Sequence, residues 1–338
     1  MKSLTRKTFA TATAAGAASA FASIAFVRSP ARAAQFTYKY GNDQTDFSPL
    51  TRRMLQMWQA VERETGGKLH VDSFPNSVLG GDTQMIVQLR SGALHFLTEP
   101  GALLQSTVPA AAIDGVGFAF KDTRQAFGAM DGELGEFVRK EIEAKGMVCI
   151  PPAFDNGMRQ ITANKPVKTV SDVEGLKIRV PSSALFVDMW KSLGSSPTPI
   201  NVSELYSSLQ THIVEAQENA LINIEQSKLY EVQKTLNFSN HAWSCWWMVA
   251  NKDAWDALGA DIQQVVRRNV AKYAPLQRTD FASLTNELVG KLKQQGMAQY
   301  TCDVGTFKAK LGPYYAKWKK EFGPTAWGLL EKYTGTLG

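Results

Sequence analysis

Apolar and polar residues alternate with period two from Phe36 to Tyr40, which predicts a strand with one face buried. Leu50, Met54, Met57, Trp58 and Val61 then recur at helical spacing behind Ser48-Pro49. A capping hydroxyl followed by proline at the first helical position marks that helix start, and Gly66-Gly67 marks its end. Leu69 to Phe74 reads as a second strand. Asp82 is placed as the cap of a second helix through Leu89 that ends at Gly92, and Leu94 to Thr98 reads as a third strand. Strands alternating with helices over such short distances predict an open α/β sheet with mostly parallel strands.

The alternation restarts after a loop rich in proline and glycine. Met147 to Ile150 is an apolar strand expected to stop at Pro151-Pro152; Arg159 to Thr162 and Leu176 to Val180 are further strands, and Phe186 to Leu193 is helical. Asn201-x-x-Glu204 has the form of a capping box opening a helix through Gln210. Trp243 to Ala250 is an almost continuous apolar strand, and Asp261 to Gln295 is helical with an expected break near Pro275. Val304 to Tyr333 reads as helices and loops. With no repeat, low-complexity tract or long linker, the pattern describes two α/β lobes joined by several chain crossings.

Composition adds an ordinary soluble chain of 338 residues, 44% apolar and 20% charged, enough for a sizeable core. The formal net charge of +6 is misleading. Residues 1–33 hold Lys2, Arg6, Lys7, Arg28 and Arg32 and no acid, which leaves a nearly neutral body with no basic face for nucleic acid. That segment has the form of a secretory signal peptide: a positive start, an uncharged Ala-rich stretch from Phe9 to Val27, and Ala31-Arg32-Ala33 before a cut. Thr5-Arg6-Lys7-Thr8-Phe9 is similar to a twin-arginine export signal with Lys in place of the second Arg. No cysteine follows the cut, so no lipid anchor is expected there, and the expected location is the periplasm.

Cys149, Cys245 and Cys302 match no zinc spacing and read as small buried apolar residues. The motifs of serine hydrolases, zinc peptidases, phosphate-binding loops and dinucleotide-binding turns are absent, and no two acids form a pair that points to acid–base work. Catalytic groups need not be adjacent in sequence, so these absences weigh little by themselves; the expectation is no cofactor, no metal and no enzyme activity.

The informative stretch runs from Asp155 to Asn223. In the strand before Pro181, Leu176, Ile178 and Val180 face one way and Lys177 and Arg179 the other. An arginine at the end of a parallel strand points into the crevice where open α/β folds hold ligands, or is solvated on an edge. A guanidinium there makes two parallel hydrogen bonds to a carboxylate, which lysine cannot. Arg159 follows the turn Asp155-Asn156-Gly157 and allows a second guanidinium to join the same clamp; Asn219 offers a donor and an acceptor.

The blocks Asn156-Gly157-Met158-Arg159-Gln160, Gly175-Leu176-Lys177-Ile178-Arg179-Val180-Pro181, Glu204-Leu205-Tyr206 through Thr211, and Gln217-Glu218-Asn219 resemble the solute receptors of tripartite ATP-independent periplasmic (TRAP) transporters, the DctP group. Leu79-Gly80-Gly81-Asp82 and Val108-Pro109-Ala110 fit as well. The resemblance implies a two-lobed type II periplasmic binding protein, with a helix from Asp261 to about Lys291 spanning both lobes. One lobe would be residues 34–156 plus about 244–283, the other 157–243 plus about 284–331. It implies that Arg179 salt-bridges a ligand carboxylate, that Arg159 supports it, that Asn219 touches the ligand, and that the loaded receptor docks on a TRAP membrane permease. His212, Glu215 and Ala216 stand where the group usually has Gly, Asp and Gly, which leaves the local turn open.

Trp243 and Trp247, in the aromatic run from His241, either line the pocket or pack the core between lobes. Phe154, Asn156 and Trp190 are further candidates, and Glu99 and Gln44 are candidates for polar ligand groups. An aromatic acid or a short oxo- or hydroxy-acid fits this set. Rival readings are a receptor for an ATP-driven importer, an exported enzyme on the same scaffold, and a partner of a sensor kinase. The leader reading predicts that the secreted chain begins at Ala34; intact-mass measurement on periplasmic extract checks this, and a mass retaining residues 1–33 contradicts it.

Overall fold

A computed structural model describes residues 34–338; the expected leader lies outside the described residues. Ten strands build the sheet: β1 (Phe36–Gly41), β2 (Leu69–Phe74), β3 (Phe96–Pro100), β4 (Met147–Ala163), β5 (Lys177–Val180), β6 (Ser196–Pro199), β7 (Ala216–Ala220), β8 (Thr235–Phe238), β9 (Trp243–Asn251) and β10 (Ala298–Thr301). Their order is β2-β1-β3-β9-β4-β7-β5-β6, with β8 pairing β4 and β10. The flanks are parallel as expected, β1 with β2 and β3, β5 with β6 and β7. The middle is not: β9 runs antiparallel to β3 and β4, and β4 antiparallel to β7 and β8.

β4 is the element on which the two halves meet. From Met147 to Met158 it pairs with β9, and from Arg159 to Ala163 with β7 and β8. The strand expected to stop at Pro151-Pro152 continues past it. The prolines sit where the register with β9 shifts between Ile150 and Phe154, so the missing N–H groups are not asked for by a ladder partner. A second shift lies between Asp155 and Gly157.

β9 explains the long apolar run of the sequence. Trp243, Cys245, Trp247 and Val249 enter one core, and Trp246, Met248 and Ala250 the other. A strand buried on both faces reads as continuous apolar sequence.

The helix Gly259–Gln294 runs unbroken through Pro275, where a break was expected. Proline removes one helical hydrogen bond, but packing on both sides of it holds the helix: Tyr273, Ala274, Gln277 and Phe281 are buried. Gln277 accepts from the Asp155 N–H and donates to the Asp155 carbonyl, both at 2.8 Å, and Arg278 donates to the Ala153 carbonyl. The helix is thus tied to β4 just before the strand changes partners. Asn201, expected as a capping side chain, makes no cap hydrogen bond; it is turned instead toward Gly81, where a Cβ would meet its amide at 3.0 Å.

Gly157 has φ +86°, and a Cβ there would lie 2.7 Å from the Phe281 ring. Both the left-handed backbone and the ring exclude a side chain. Gly157→Ala is expected to lower stability by about 1–3 kcal/mol in denaturant unfolding, with Phe281→Leu added at less than additive cost because the two share one contact.

Candidate functional site

The carboxyl ends of β1, β3, β5 and β7 converge on a small cavity of about 30 Å³, at the place where open α/β sheets hold ligands. Asp43 follows β1, Pro100 ends β3, Arg179 and Pro181 end β5, and Asn219 lies near the end of β7; Asn156, Arg159, Asp82, Phe186, Asn223 and Ser244 complete the polar and aromatic wall.

The two arginines are both buried, at 5% and 2% exposure, yet their situations differ. Arg159 is matched inside the protein. Its Nε and Nη2 donate to the two carboxylate oxygens of Glu218, the latter at 2.8 Å, and Nη2 also donates to the Glu218 carbonyl at 3.0 Å. Glu218 reaches His241 Nε2 at 2.9 Å, and His241 Nδ1 meets Ser239 Oγ at 2.7 Å. Burial alone would raise the Glu218 carboxyl, but Arg159 and His241 outweigh it and hold it below the usual range. Burial keeps His241 below the ordinary histidine value, against the pull of Glu218, so the ring is neutral at neutral pH. The Arg159 guanidinium lies 5.2 Å from the centre of the Phe186 ring, a cation–π distance.

Arg179 is not matched. Its Nε donates to the Ile200 carbonyl at 2.8 Å, and among the described residues it forms no ion pair, so its terminal nitrogens are left to the cavity. Burial lowers its pKa to about 10; Glu218 opposes that, Arg159 adds to it, and Asp82 and Asp43 oppose it. It stays a full cation at neutral pH. What the arrangement can do is accept an anion in a water-poor place.

Three asparagines stand beside it. Asn223 Nδ2 donates to Asn219 Oδ1 at 2.7 Å and to Asn156 Oδ1 at 3.1 Å, and Asn219 Oδ1 also accepts from the Ala220 N–H. The side-chain amide donors of Asn219 and Asn156 are thereby left over. The opposite wall is acidic. Asp82 is the first residue of the helix Asp82–Ser91, with Gly81 at the cap. It is therefore not the capping residue expected, and its carboxylate is available: Oδ1 is buried without a partner. Asp43 accepts from Gln44 Nε2 at 2.9 Å. Burial first, and Asp82 next, raise its pKa to about 7; burial likewise raises Asp82.

Of the sequence candidates, Arg179, Arg159, Asn219 and Asn156 come together in this wall. The others stand elsewhere. Trp243 packs edge-on to Phe127 and Phe120 at 5.1 and 6.2 Å, Trp247 and Phe154 are wholly in the cores, and Trp190 sits edge-on to His241 at 5.3 Å. Glu99 is fully buried with both oxygens unpartnered, outside the cavity lining, and Gln44 touches Asp43 instead of the cavity. Strand parity accounts for the tryptophans: Ser244, between Trp243 and Cys245, is the β9 residue that meets the cavity, and its Oγ has no partner. Asp43, Asp82, Asn223, Phe186 and Ser244 were missed. The rule that sites form past the carboxyl ends of parallel strands picks out Asp43; Ser244 is marked only as the one polar residue from Trp243 to Ala250. Among the described residues, no group of three His, Cys, Asp or Glu gathers to hold a metal, and no helix is long and apolar enough to cross a membrane.

The family model for bacterial extracellular solute-binding protein, family 7 (DctP) matches residues 41–321. A solute-binding protein of Roseobacter denitrificans is 30% identical over 285 residues, 84% of this chain and 87% of the relative. The 2,3-diketo-L-gulonate-binding periplasmic protein YiaO of Escherichia coli is 29% identical over 290 residues, 85% of this chain and 88% of the relative. The crystal structure of a TRAP periplasmic solute-binding protein from Sulfitobacter with bound β-D-galacturonate superposes with a TM-score of 0.85 at 27% identity, covering 89% of this chain and all of that one. The mixed sheet and the long helix are those of this two-lobed type II architecture.

The buried pair sets a stability prediction. Glu218→Gln strands the Arg159 charge and is expected to cost about 3–5 kcal/mol at neutral pH. Because the folded-state carboxyl is held below its unfolded value, the wild-type advantage is complete above about pH 4.5 and shrinks as pH falls through the folded pKa. Urea midpoints of both proteins across that range check the size and the sign.

Proposed function

The chain belongs to the DctP family of bacterial extracellular solute-binding proteins, binding proteins and not enzymes, and from that premise we propose that it captures a small organic acid in the periplasm and delivers it to a TRAP membrane permease. The observation that carries the reading is Arg179: a buried guanidinium at the end of a parallel strand, facing a cavity with its terminal nitrogens unpartnered. A ligand carboxylate is the group that answers it, in the two parallel hydrogen bonds that guanidinium geometry favours. Arg159, already paired with Glu218, supplies positive potential and its stack on Phe186. Asn219 and Asn156 offer their remaining amide donors to ligand oxygens. The relatives' own ligands, 2,3-diketo-L-gulonate and galacturonate, are acids, which supports the same class here.

In this reading residues 34–156 plus about 244–283 form one lobe, and 157–243 plus about 284–331 the other. The lobes close by bending where they are joined. The change of partners along β4 between Met158 and Arg159 supports a hinge at that point, and the cavity wall draws side chains from both sides of it. Closing removes water from the Arg179 contact and strengthens it.

Calorimetric titration with the acids that raise the thermal midpoint of the ligand-stripped protein tests this. Arg179→Ala is expected to fold normally and to lose about 2–5 kcal/mol of affinity, because the ligand carboxylate is then buried unpaired. Undiminished affinity in that variant overturns the reading.

A further inference from the structure

We propose that the ligand of this cleft carries, besides its carboxylate, a protonated amine held by Asp43 and Asp82, so that the protein selects an amino-substituted acid over its hydroxy counterpart. The inference rests on the carboxylate reading above and names the ligand class within it.

Two observations carry it. Asp82 is 1% exposed, lines the cavity, and has a carboxylate oxygen without a partner. A buried acceptor left unpaired is costly, and here it faces the space a ligand would fill. The second is the charge balance of the wall. Arg159 is matched by Glu218, so Arg179 is the remaining cation, set against Asp43 and Asp82. With both acids ionised, a simple monoanionic acid on Arg179 leaves two net negative charges in a closed cleft and a zwitterion leaves one; with one proton shared between them the monoanion leaves one and the zwitterion none. Like charges in a water-poor cavity repel strongly, so the zwitterion is the better electrostatic match.

The chemistry of the groups agrees. An ammonium brings three donors and a positive charge, and bridges two carboxylates in short, charge-assisted bonds. A hydroxyl brings one donor and no charge, and leaves the repulsion between Asp43 and Asp82 in place. That repulsion is part of what raises Asp43, after burial. Gln44 holds Asp43 from the side at 2.9 Å, which orients the carboxylate without neutralising it.

The test is calorimetry at pH 7.5 on the ligand-stripped mature chain with pairs matched in skeleton: alanine against lactate, serine against glycerate, β-alanine against hydroxypropionate, γ-aminobutyrate against γ-hydroxybutyrate, and glucosaminate against gluconate. The amino member of at least one pair is expected to bind about ten-fold tighter or more. Asp43→Asn and Asp82→Asn should each erase most of that preference, read as the ratio of the two affinities. Far-UV circular dichroism reports folding; Asp43, on a loop, carries the test alone if Asp82→Asn unfolds. Hydroxy members equal or tighter in every pair overturn the inference and leave the carboxylate reading standing. A preference that survives both substitutions places the amine elsewhere and overturns it too. Absence of binding by every acid removes both readings together.

Discussion

Two guanidinium groups share one water-poor cavity, and the protein provides a matching anion for only one of them. Arg159 and Glu218 are diagonal neighbours across β4 and β7, where Arg159 pairs with Ala220 and Glu218 with Ile161, so both side chains rise from the same face of the sheet. The carboxylate is held ionised by the arginine and by His241, and the arginine's reach is fixed by three hydrogen bonds to one residue. Everything around Arg179 follows from that asymmetry. Had Glu218 been placed to serve both arginines, the cavity would have no unmet demand for an anion. As built, one cation is ion-paired inside the protein, and the other has no ion pair among the described residues.

On the proposed reading that charge calls for a site that opens and closes, because a guanidinium left permanently in a dry cavity is costly. The sheet provides the means in β4, a single strand that belongs to two ladders in turn. Its register shifts fall at the prolines and at Gly157, before the strand passes from β9 to β7. The long helix grips the same segment through Gln277 and Arg278. On that reading a bend at this point would move one half of the cavity wall against the other, in a direction the helix limits. Residues that sequence patterning marks as breakers are the ones a strand shared by two halves requires.

How much of this was legible follows from the same geometry. Period-two alternation sets the face of Arg179 and Pro181 ends its strand, but spacing alone left the crevice and a solvated edge as equal alternatives; the fold places the residue at the cavity. Arg159 and Asn219 follow from the blocks around them. The tryptophans of β9 were not decidable, since a strand buried on both faces carries no polar parity to say which side meets a ligand, and Ser244 alone breaks the run. Pro275 misled because a local rule was applied to a helix whose flanks are anchored by tertiary contacts. Asp82 misled in a different way: the N-cap preference is satisfied by the neighbouring Gly81, which frees the carboxylate for the cavity.

The acids of the region also show why counting charges from sequence fails. Glu99, Asp114, Asp82 and Asp43 lie in one part of the fold, yet burial divides them. Glu99 is wholly enclosed with neither oxygen partnered, and its pKa is raised well above the ordinary value by burial first and by Asp82 and Asp43 next. Burial therefore favours its protonated form. Asp114 is raised to about 7 by burial, against the hydrogen bonds from Cys245, and faces the core. Asp43 and Asp82 differ because the cavity is beside them: besides Arg179 and the hydrogen bonds from Gln44 and the Val202 backbone, a cationic group that enters can stabilise their ionised forms. Enclosure thus raises the acids that lack a cationic partner, Glu99 and Asp114, whereas enclosed Glu218 is held ionised by Arg159 and His241. The selectivity of the cleft then turns on whether the incoming molecule brings positive charge to that wall or only a hydroxyl.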